Sequence, residues 1–527
     1  MPRTLRAKSR GVLDGLFALR AIAVFLGLGA CALVVWKHEQ TLSLLKKFFG
    51  EPSSPLNLGI VRIVVFATLY QSALLSDADF LARLPRAFLH LPRGWVWLAD
   101  TGLLEPSVVH AARITLIWTT AAATVGLVTP VATVLASASA LLVFGVENFY
   151  FKIGHSLHVP VLSACVLAAS PAGDALSIDA LVRRLRKQPP FAASRAYTVP
   201  VRFCWLLVGT MYLFPGLWKL WESGDQWLDG SKLANEMFDK WAQLPDFTPT
   251  VRLDRARTLL IVLGAWTLVL EIGFFFMLFA RATRVVAAFL ASSFHVGIGF
   301  TLGIWFSPFV PLILLADVPQ IFELRALRPL ARVGQKLGEP LRRILRLASA
   351  ETTRVRSPRW AAAAFVVGAV WLGSMFVAGL GPVDSWPVAV YPRFADRKKG
   401  PTSHGMALGV FVVHRDGSEL ELPTALDVLG DPAAVYRVAR TVIRARHRKD
   451  YKTLTQYEDL FIRLAERVYG RLQSGEQLRV LSYDFPSDPS ERTGRGKGSF
   501  VLETNPAGSE PSVKAAAPDT ETESDED

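Results

Sequence analysis

The chain has 527 residues, of which 51% are hydrophobic and 20% charged, with a mean hydropathy of +0.31. A soluble domain carries nearer a quarter charged residues, so this composition excludes a purely cytosolic protein. Basic residues outnumber acidic ones 58 to 45, a net charge of +13. In a polar chain that excess would suit nucleic acid. Here it lies in loops between apolar runs, and no nucleic-acid partner is expected. The cysteines, Cys31, Cys165 and Cys204, all sit in apolar runs without paired spacing, so neither a disulfide framework nor a thiolate zinc site is read from them. The fold class is an all-α polytopic membrane bundle of about 8–10 transmembrane helices. It is succeeded by a small extracytoplasmic α+β domain and a disordered acidic tail.

Residues 1–53 hold a basic tail (Arg3, Arg6, Lys8, Arg10), the apolar run Ala21–Trp36 and the amphipathic segment Leu42–Phe49, which reads as surface-lying. No small-residue cleavage site precedes Lys37, so the run is not read as a removed signal peptide. A spanning helix there would leave the basic tail outside, and a half-embedded helix is the alternative. A bilayer core needs about 20 apolar residues per helix. Runs that approach this length are Leu56–Leu75, Ile114–Thr129, Val131–Val146, Leu157–Ser170, Val201–Trp221, Leu259–Ala280, Val285–Phe306, Pro308–Val318 and Trp360–Leu380. Basic residues crowd three connections: Arg183–Arg195, Arg281–Arg284 and the loop 323–359. Placing all three in the cytoplasm puts the Glu222–Thr258 loop and everything after Leu380 outside. The positive charge is then topogenic and faces anionic lipid.

After the last spanning helix, 360–380, the pattern changes. Ala407–Val413 and Glu419–Leu422 flank Asp416-Gly417, a hairpin signal. Ala433–Arg446 and Gln456–Gln473 have helical periodicity and Gln477–Phe485 reads as a strand. Residues 381–505 thus form a small α+β domain. From Pro506 to Asp527 the chain is rich in Pro, Ala, Ser, Glu and Asp with almost no large apolar residues, a composition of disorder.

Ionisable residues inside a bilayer are costly and mark function by default. Glu271 lies nine residues before Ala280 and His295 ten after Val285. At 1.5 Å per residue both sit roughly 14 Å into the membrane on adjacent antiparallel helices. The two are expected to pair, either to orient and activate the imidazole or as a structural clasp between helices. Lys219, in Pro215-Gly216-Leu217-Trp218-Lys219-Leu220, is either a snorkelling lysine in an aromatic belt or a base. In the second reading Pro215, Gly216 and the tryptophans bend the helix and wall the amine off from water. His155 and His158 are three apart and would share a face of a helix. No third ligand is spaced for them, and no metal is predicted. Asn148 suits a polar cluster just before them. Arg62 either anchors to the inner leaflet or pairs within the bundle. Arg437, Arg440, Arg444 and Arg448 line one face of the first helix in the terminal domain, either solvated or in contact with lipid phosphate or an acidic partner. Phosphate-cradling glycine loops and the usual hydrolase and metalloprotease motifs are absent.

Taken in order, these segments resemble the transmembrane domain shared by vitamin K-dependent γ-glutamyl carboxylase and its bacterial relatives, the HTTM domain. The resemblance runs from Ser54 to Phe322. It opens with Pro55-Leu56-Asn57-Leu58-Gly59-Ile60-Val61-Arg62-Ile63 and continues through Gly154-His155-Ser156 and Leu176-Ser177-Ile178-Asp179-Ala180-Leu181. Pro215-Gly216-Leu217-Trp218-Lys219-Leu220 comes next, with Trp227 and Gly230 at the family's distance, and Leu270-Glu271 and Ser293-Phe294-His295 complete the set. Tyr391-Pro392-Arg393-Phe394-Ala395 also resembles a segment found after this domain in bacterial relatives.

The resemblance implies a multi-pass bacterial inner-membrane protein with carboxylase-like lyase chemistry. A lysine would deprotonate a vitamin K-type hydroquinone, menaquinol in a bacterium, and so generate a strong base for carboxylation of a peptide or protein substrate on the outer side. Lys219 matches that lysine, and His155 and His295 match histidines of the same pocket. Glu271, Trp218, His158 and Asn148 are expected as pocket or pairing residues. The chain departs from the animal enzyme in three ways. The large luminal substrate-binding region is reduced to the residues after Leu380, the linking cysteine pair has no counterpart, and Trp218 stands where the carboxylase has a second lysine. Two other readings therefore stay open: a non-catalytic scaffold whose outer domain binds a partner, and quinone redox chemistry without carboxylation.

Overall fold

A computed structural model describes residues 35–92, 94–150, 154–304, 353–381, 383, 385–389, 394–398, 400–423, 425–429, 432–492 and 498–504, with Arg20, Ala21 and Ala32. Most of the run Ala21–Trp36, all of Pro308–Val318, most of the loop 323–359 and the segment 506–527 lie outside the described residues. The chain falls into two units, one helical and one built on a sheet.

The helical unit begins with α1 (His38–Gly50) and α2 (Pro55–Leu74), followed by α3 (Pro106–Val125), α4 (Thr129–Phe149), the short α5 (His158–Ala168) and α6 (Ile178–Leu185). A 34-residue α7 (Arg195–Leu228) leads to α8 (Ser231–Trp241), whose last residues belong to the other unit. The helices α9 (Arg257–Met277), α10 (Arg281–Leu302) and α11 (Pro358–Leu380) complete it among the described residues. Among the described residues seven helices, α2, α3, α4, α7, α9, α10 and α11, are long and apolar enough to cross a membrane. Each overlaps a run read from the sequence. Their outward faces carry exposed apolar side chains such as Trp118, Val269, Phe289 and Val377, as lipid contact requires.

Local chemistry sets where these helices start. Ser54 accepts a hydrogen bond from the Leu56 amide and Pro55 occupies the first turn of α2. Ser357 with Pro358 repeats the arrangement at α11, and the Ser177 hydroxyl oxygen accepts from the Ala180 amide at α6. Asp179 accepts from the amides of Val128 (2.9 Å) and Thr129 (2.7 Å), closing the start of α4.

Arg62 is fully buried in α2. Its guanidinium donates to the carbonyls of Ala172 (2.8 Å) and Leu176 (2.5 Å), with longer bonds to Ala175 and Thr124. The arginine therefore pairs within the bundle, where it ties the α3 C-terminus and the α5–α6 turn to α2. Nearby, Asp174 accepts from the Tyr197 hydroxyl (2.8 Å) and is gripped by Arg356, which comes from the end of the basic loop.

Helices α7 and α9 run antiparallel and close together, because glycines line the contact. A Cβ added at Gly216 would lie 2.8 Å from the Glu271 Cβ, and one at Gly264 only 2.1 Å from the Trp227 carbonyl oxygen. Small residues at such crossings let the backbones approach. Against the other side of α7, α11 packs Ala364, Met375 and Ala378 on Phe203, Leu207 and Phe214, with Leu162 and Val166 of α5 beneath. Pro215 lies inside α7, whose one departure from helical dihedrals is at Ser223 (φ −146°, ψ 31°).

The chain after α11 returns over the helices. Trp386 is fully buried, donates to the Leu141 carbonyl (2.9 Å) and sets its ring edge against His158 at 4.8 Å. Further on, the Ala395 carbonyl accepts from the Ser223 hydroxyl (2.7 Å), and Arg397 makes two bonds to Asp225 (2.6 and 2.8 Å). The backbone of Lys398 exchanges bonds with the Gln226 side-chain amide.

The second unit combines residues 402–527 with Leu84–Phe88 and Phe238–Thr248. Its strands β1 (His404–Val413), β2 (Glu419–Glu421), β3 (Gln477–Pro486) and β4 (Ser499–Glu503) form an antiparallel sheet in the order β2-β1-β3-β4. Gly417 adopts φ +82° in the β1–β2 turn, the left-handed conformation that glycine suits. Helices α12 (Pro432–His447) and α13 (Tyr451–Tyr469) bury Val438, Val442, Leu454, Phe461 and Leu464. The strands supply Val410, Val412, Leu478 and Val480 to the buried core. Arg492 fastens the 238–248 segment by donating to the carbonyls of Trp241 (2.7 Å), Leu244 (2.9 Å), Pro245 (2.7 Å) and Phe247 (3.0 Å). The strand β4 has no counterpart among the elements read from the sequence.

The helical contacts predict the cost of two substitutions. Arg62→Leu leaves several buried carbonyls without a donor and is expected to cost several kcal/mol, at about 1–3 kcal/mol for each. Gly264→Val forces a side chain into the Trp227 backbone and is expected to cost about 1–3 kcal/mol or more. Thermal unfolding of the detergent-solubilised protein measures both, and an unchanged midpoint for either would mean that the corresponding contact carries no stability.

Candidate functional site

On α7, Tyr212, Gly216 and Lys219 recur at helical spacing and share one face. On α9, Glu271 and Phe274 do the same. The glycine contact brings these faces together. The Lys219 ammonium donates to Glu271 Oε1, both side chains being almost completely buried at 4% and 6% exposure. The Tyr212 ring stacks on Phe274 with centroids 4.3 Å apart. The Tyr212 hydroxyl and His295 Nε2, from α10, are 2.6 Å apart. Trp227, also buried, lies over the ammonium, with its ring centroid 5.2 Å from Nζ.

This arrangement corrects one expectation. Glu271 bonds Lys219, and His295 bonds Tyr212, so the expected Glu271–His295 pair is not formed. The partner choice depended on a third helix, α7, whose lysine reaches the carboxylate first. The snorkelling reading of Lys219 is likewise excluded. Helix α7 continues for nine residues beyond it, and its amine faces the α9 carboxylate instead of water.

A second group forms around the start of α5. His155 precedes that helix and His158 is its first residue, so the two do not lie on one helix as their spacing suggested. Their rings are nonetheless stacked, 5.2 Å apart, and His158 also meets Trp386. Asn148, buried at the end of α4, donates to the Phe144 carbonyl (2.6 Å) and accepts from the Gly154 amide (2.7 Å), which fixes the backbone just before His155. Trp218 points elsewhere: its indole donates to the Gly379 carbonyl of α11 (2.8 Å). Among the described residues no three His, Cys, Asp or Glu side chains converge in a way that would hold a metal ion.

Tyr212 is the residue that sequence reasoning missed. Its one signal was its position seven residues before Lys219, two turns along the same face.

The chemistry available is that of a buried, proton-sharing pair. Removing one member strands the other's charge in an apolar interior, which costs about 3–5 kcal/mol, whereas replacing both is close to neutral. Lys219→Met is therefore expected to destabilise the protein by that amount, and adding Glu271→Gln is expected to restore most of the loss. Unfolding curves for the two variants check this. If the double variant is no more stable than the single, the two side chains are not coupled.

Compared with known proteins, residues 52–319 match the family model described as the HTTM domain. No curated protein and no solved structure matches the chain. The matched stretch contains Lys219, Glu271, Tyr212, Trp227 and His295 as well as Asn148, His155 and His158. It takes in half of the sequence, and the chain belongs to the HTTM-domain family.

Proposed function

We propose that this integral membrane protein is a carboxylase-like enzyme that uses a quinol, with Lys219 as its base. The observation that carries the reading is the Lys219 amine, buried beneath Trp227 and bonded to a single carboxylate oxygen. A lysine inside an apolar bundle needs a reason to be there. A base that works on a lipid-soluble acid supplies one.

The residues present fit a vitamin K-type hydroquinone such as menaquinol. Glu271 Oε2 and Trp227 Nε1 are buried without hydrogen-bond partners among the described residues, one an acceptor and one a donor. Buried polar atoms left in this state are costly, and the two hydroxyl groups of a quinol, one donating to the carboxylate oxygen and one accepting from the indole N–H, would satisfy both. Tyr212, Phe274 and Trp227 supply the aromatic surface that a flat ring packs against. When bound, the quinol supplies reducing equivalents and, with oxygen, a base strong enough to attack a carbon acid.

The protein's part is to manage protons. The proton shared by the pair can rest on Lys219 Nζ, giving ammonium and carboxylate, or on Glu271 Oε1, giving a neutral amine and a carboxylic acid. In the neutral form Nζ has a lone pair and accepts a phenolic proton. Trp227 keeps water from Nζ. His295, held by the Tyr212 hydroxyl, and His155, beside His158, are the imidazoles assigned to the same chemistry. In this reading the substrate is a peptide or protein on the extracytoplasmic side, where the basic loops of the sequence also place the domain after Leu380.

Hydroquinone-dependent epoxide formation by the full chain in nanodiscs tests the proposal. Wild type is expected to form product, and both Lys219→Ala and Lys219→Arg are expected to lose at least a hundredfold, since arginine does not give up its proton. Full activity in Lys219→Arg would reduce the residue to a positive anchor. No product from folded wild type with menaquinol or phylloquinol would favour the scaffold reading. Epoxide without fixed carbon dioxide would favour quinone redox chemistry alone. For the topology, a periplasmic reporter enzyme fused after Thr504 is expected to be active, and an inactive fusion alongside an active cytoplasmic reporter would reverse the assignment.

A further inference from the structure

The helix α12 has two unlike faces. Ala434, Val438, Ala439, Val442 and Ala445 are buried, whereas Arg437, Arg440 and Arg444 are exposed and continue into Arg448 and Lys449 beyond the helix end. The arginines recur at intervals of three and four and so form one stripe. Compensation of the helix dipole accounts for basic residues in the last turn only, and Arg440 lies before it. No salt bridge is formed by Arg440, Arg444 or Arg448 among the described residues; Arg440 lies 5.7 Å from the Tyr436 ring centroid.

The same unit carries a matching charge. Between Asp519 and Asp527, six of nine residues are acidic: Asp519, Glu521, Glu523, Asp525, Glu526 and Asp527. The chain leaves the sheet at β4, where the Thr504 amide donates to the Leu478 carbonyl (2.9 Å), and β4 packs against α12. The linker to the acidic cluster therefore departs from a strand that contacts α12. The fourteen residues from Asn505 to Pro518 reach up to about 45–50 Å, and a 16-residue helix is about 24 Å long. Tethering also keeps the cluster at an effective concentration on the order of millimolar.

We propose that the acidic segment Asp519–Asp527 docks on the basic face of α12, with its carboxylates against Arg437, Arg440, Arg444 and Arg448. The segment acts as a built-in competitor. An external acidic ligand reaches this face only by displacing it. Acidic lipid headgroups are the alternative occupant, and the test separates the two.

The experiment is zero-length carbodiimide cross-linking of the full chain in phosphatidylcholine nanodiscs, read by peptide mass spectrometry. Lys449 and Lys452, at the end of the stripe, are expected to be joined to carboxylates of Asp519–Asp527. The yield is expected to fall at least tenfold in Arg440→Glu/Arg444→Glu, whose exposed positions leave the core untouched. It is also expected to fall in 1 M salt, where the screening length shrinks to about 3 Å. Equal yields in wild type and variant, or no such links in wild type, overturn the proposal. If links are absent while the same variant weakens sedimentation with phosphatidylserine vesicles, the face is a lipid site and the tail is not its occupant.

Discussion

Lys219 and Glu271 are charged groups placed where no solvent can answer for them, and much of the helical unit is arranged to make that placement tolerable. An ion pair in an apolar interior survives only if its members meet at close range. Close range requires that α7 and α9 approach along glycines. Gly216 sits beside Glu271, and Gly264 beneath the Trp227 carbonyl, so the residues that look least chemical set the distance on which the chemistry depends. The same economy governs Arg62, whose two terminal nitrogens bond backbone carbonyls from two turns instead of a carboxylate.

Two kinds of buried cation therefore coexist in one bundle. Arg62 always keeps its proton, so its site can be built from neutral oxygens and serves to fix the α2–α3–α5 arrangement. Lysine can lose its proton, and Lys219 faces a group able to take it. This difference separates a structural cation from a candidate base more clearly than burial does, since both are buried. The Tyr212–His295 bond extends the proton-bearing groups onto a third helix, α10.

Long apolar runs made the spanning helices legible in the sequence. Pro55 after Ser54 and Pro358 after Ser357 mark starts that the structure repeats to within a few residues. The candidate site was legible as a set of residues and less so as a set of bonds. Glu271 and His295 were found because charge in an apolar run is conspicuous, but their partners depended on how α7 is rotated, which no spacing within α9 or α10 reports. Tyr212 was inconspicuous because a tyrosine near a membrane surface is ordinary. The break at Ser223 was inconspicuous because Pro215 and Gly216 are the stronger kink signals in the same stretch. Strand β4 was missed because five residues after a glycine- and arginine-rich stretch carry little periodicity, and only pairing with β3 defines it.

The segment after α11 bears on how the protein is made. Trp386 fills a slot between the Leu141 carbonyl, Gly145 and His158, and residues 395–398 close over the end of α7. Both contacts join late chain to helices made far earlier. The stretch defined by family likeness ends at residue 319, some eighty residues before its last structural partners emerge from the ribosome. A gene fragment cut at the family boundary would therefore encode recognisable ancestry without a finished tertiary structure. During synthesis the nascent bundle must wait, with the Trp386 slot unfilled, until that final stretch arrives.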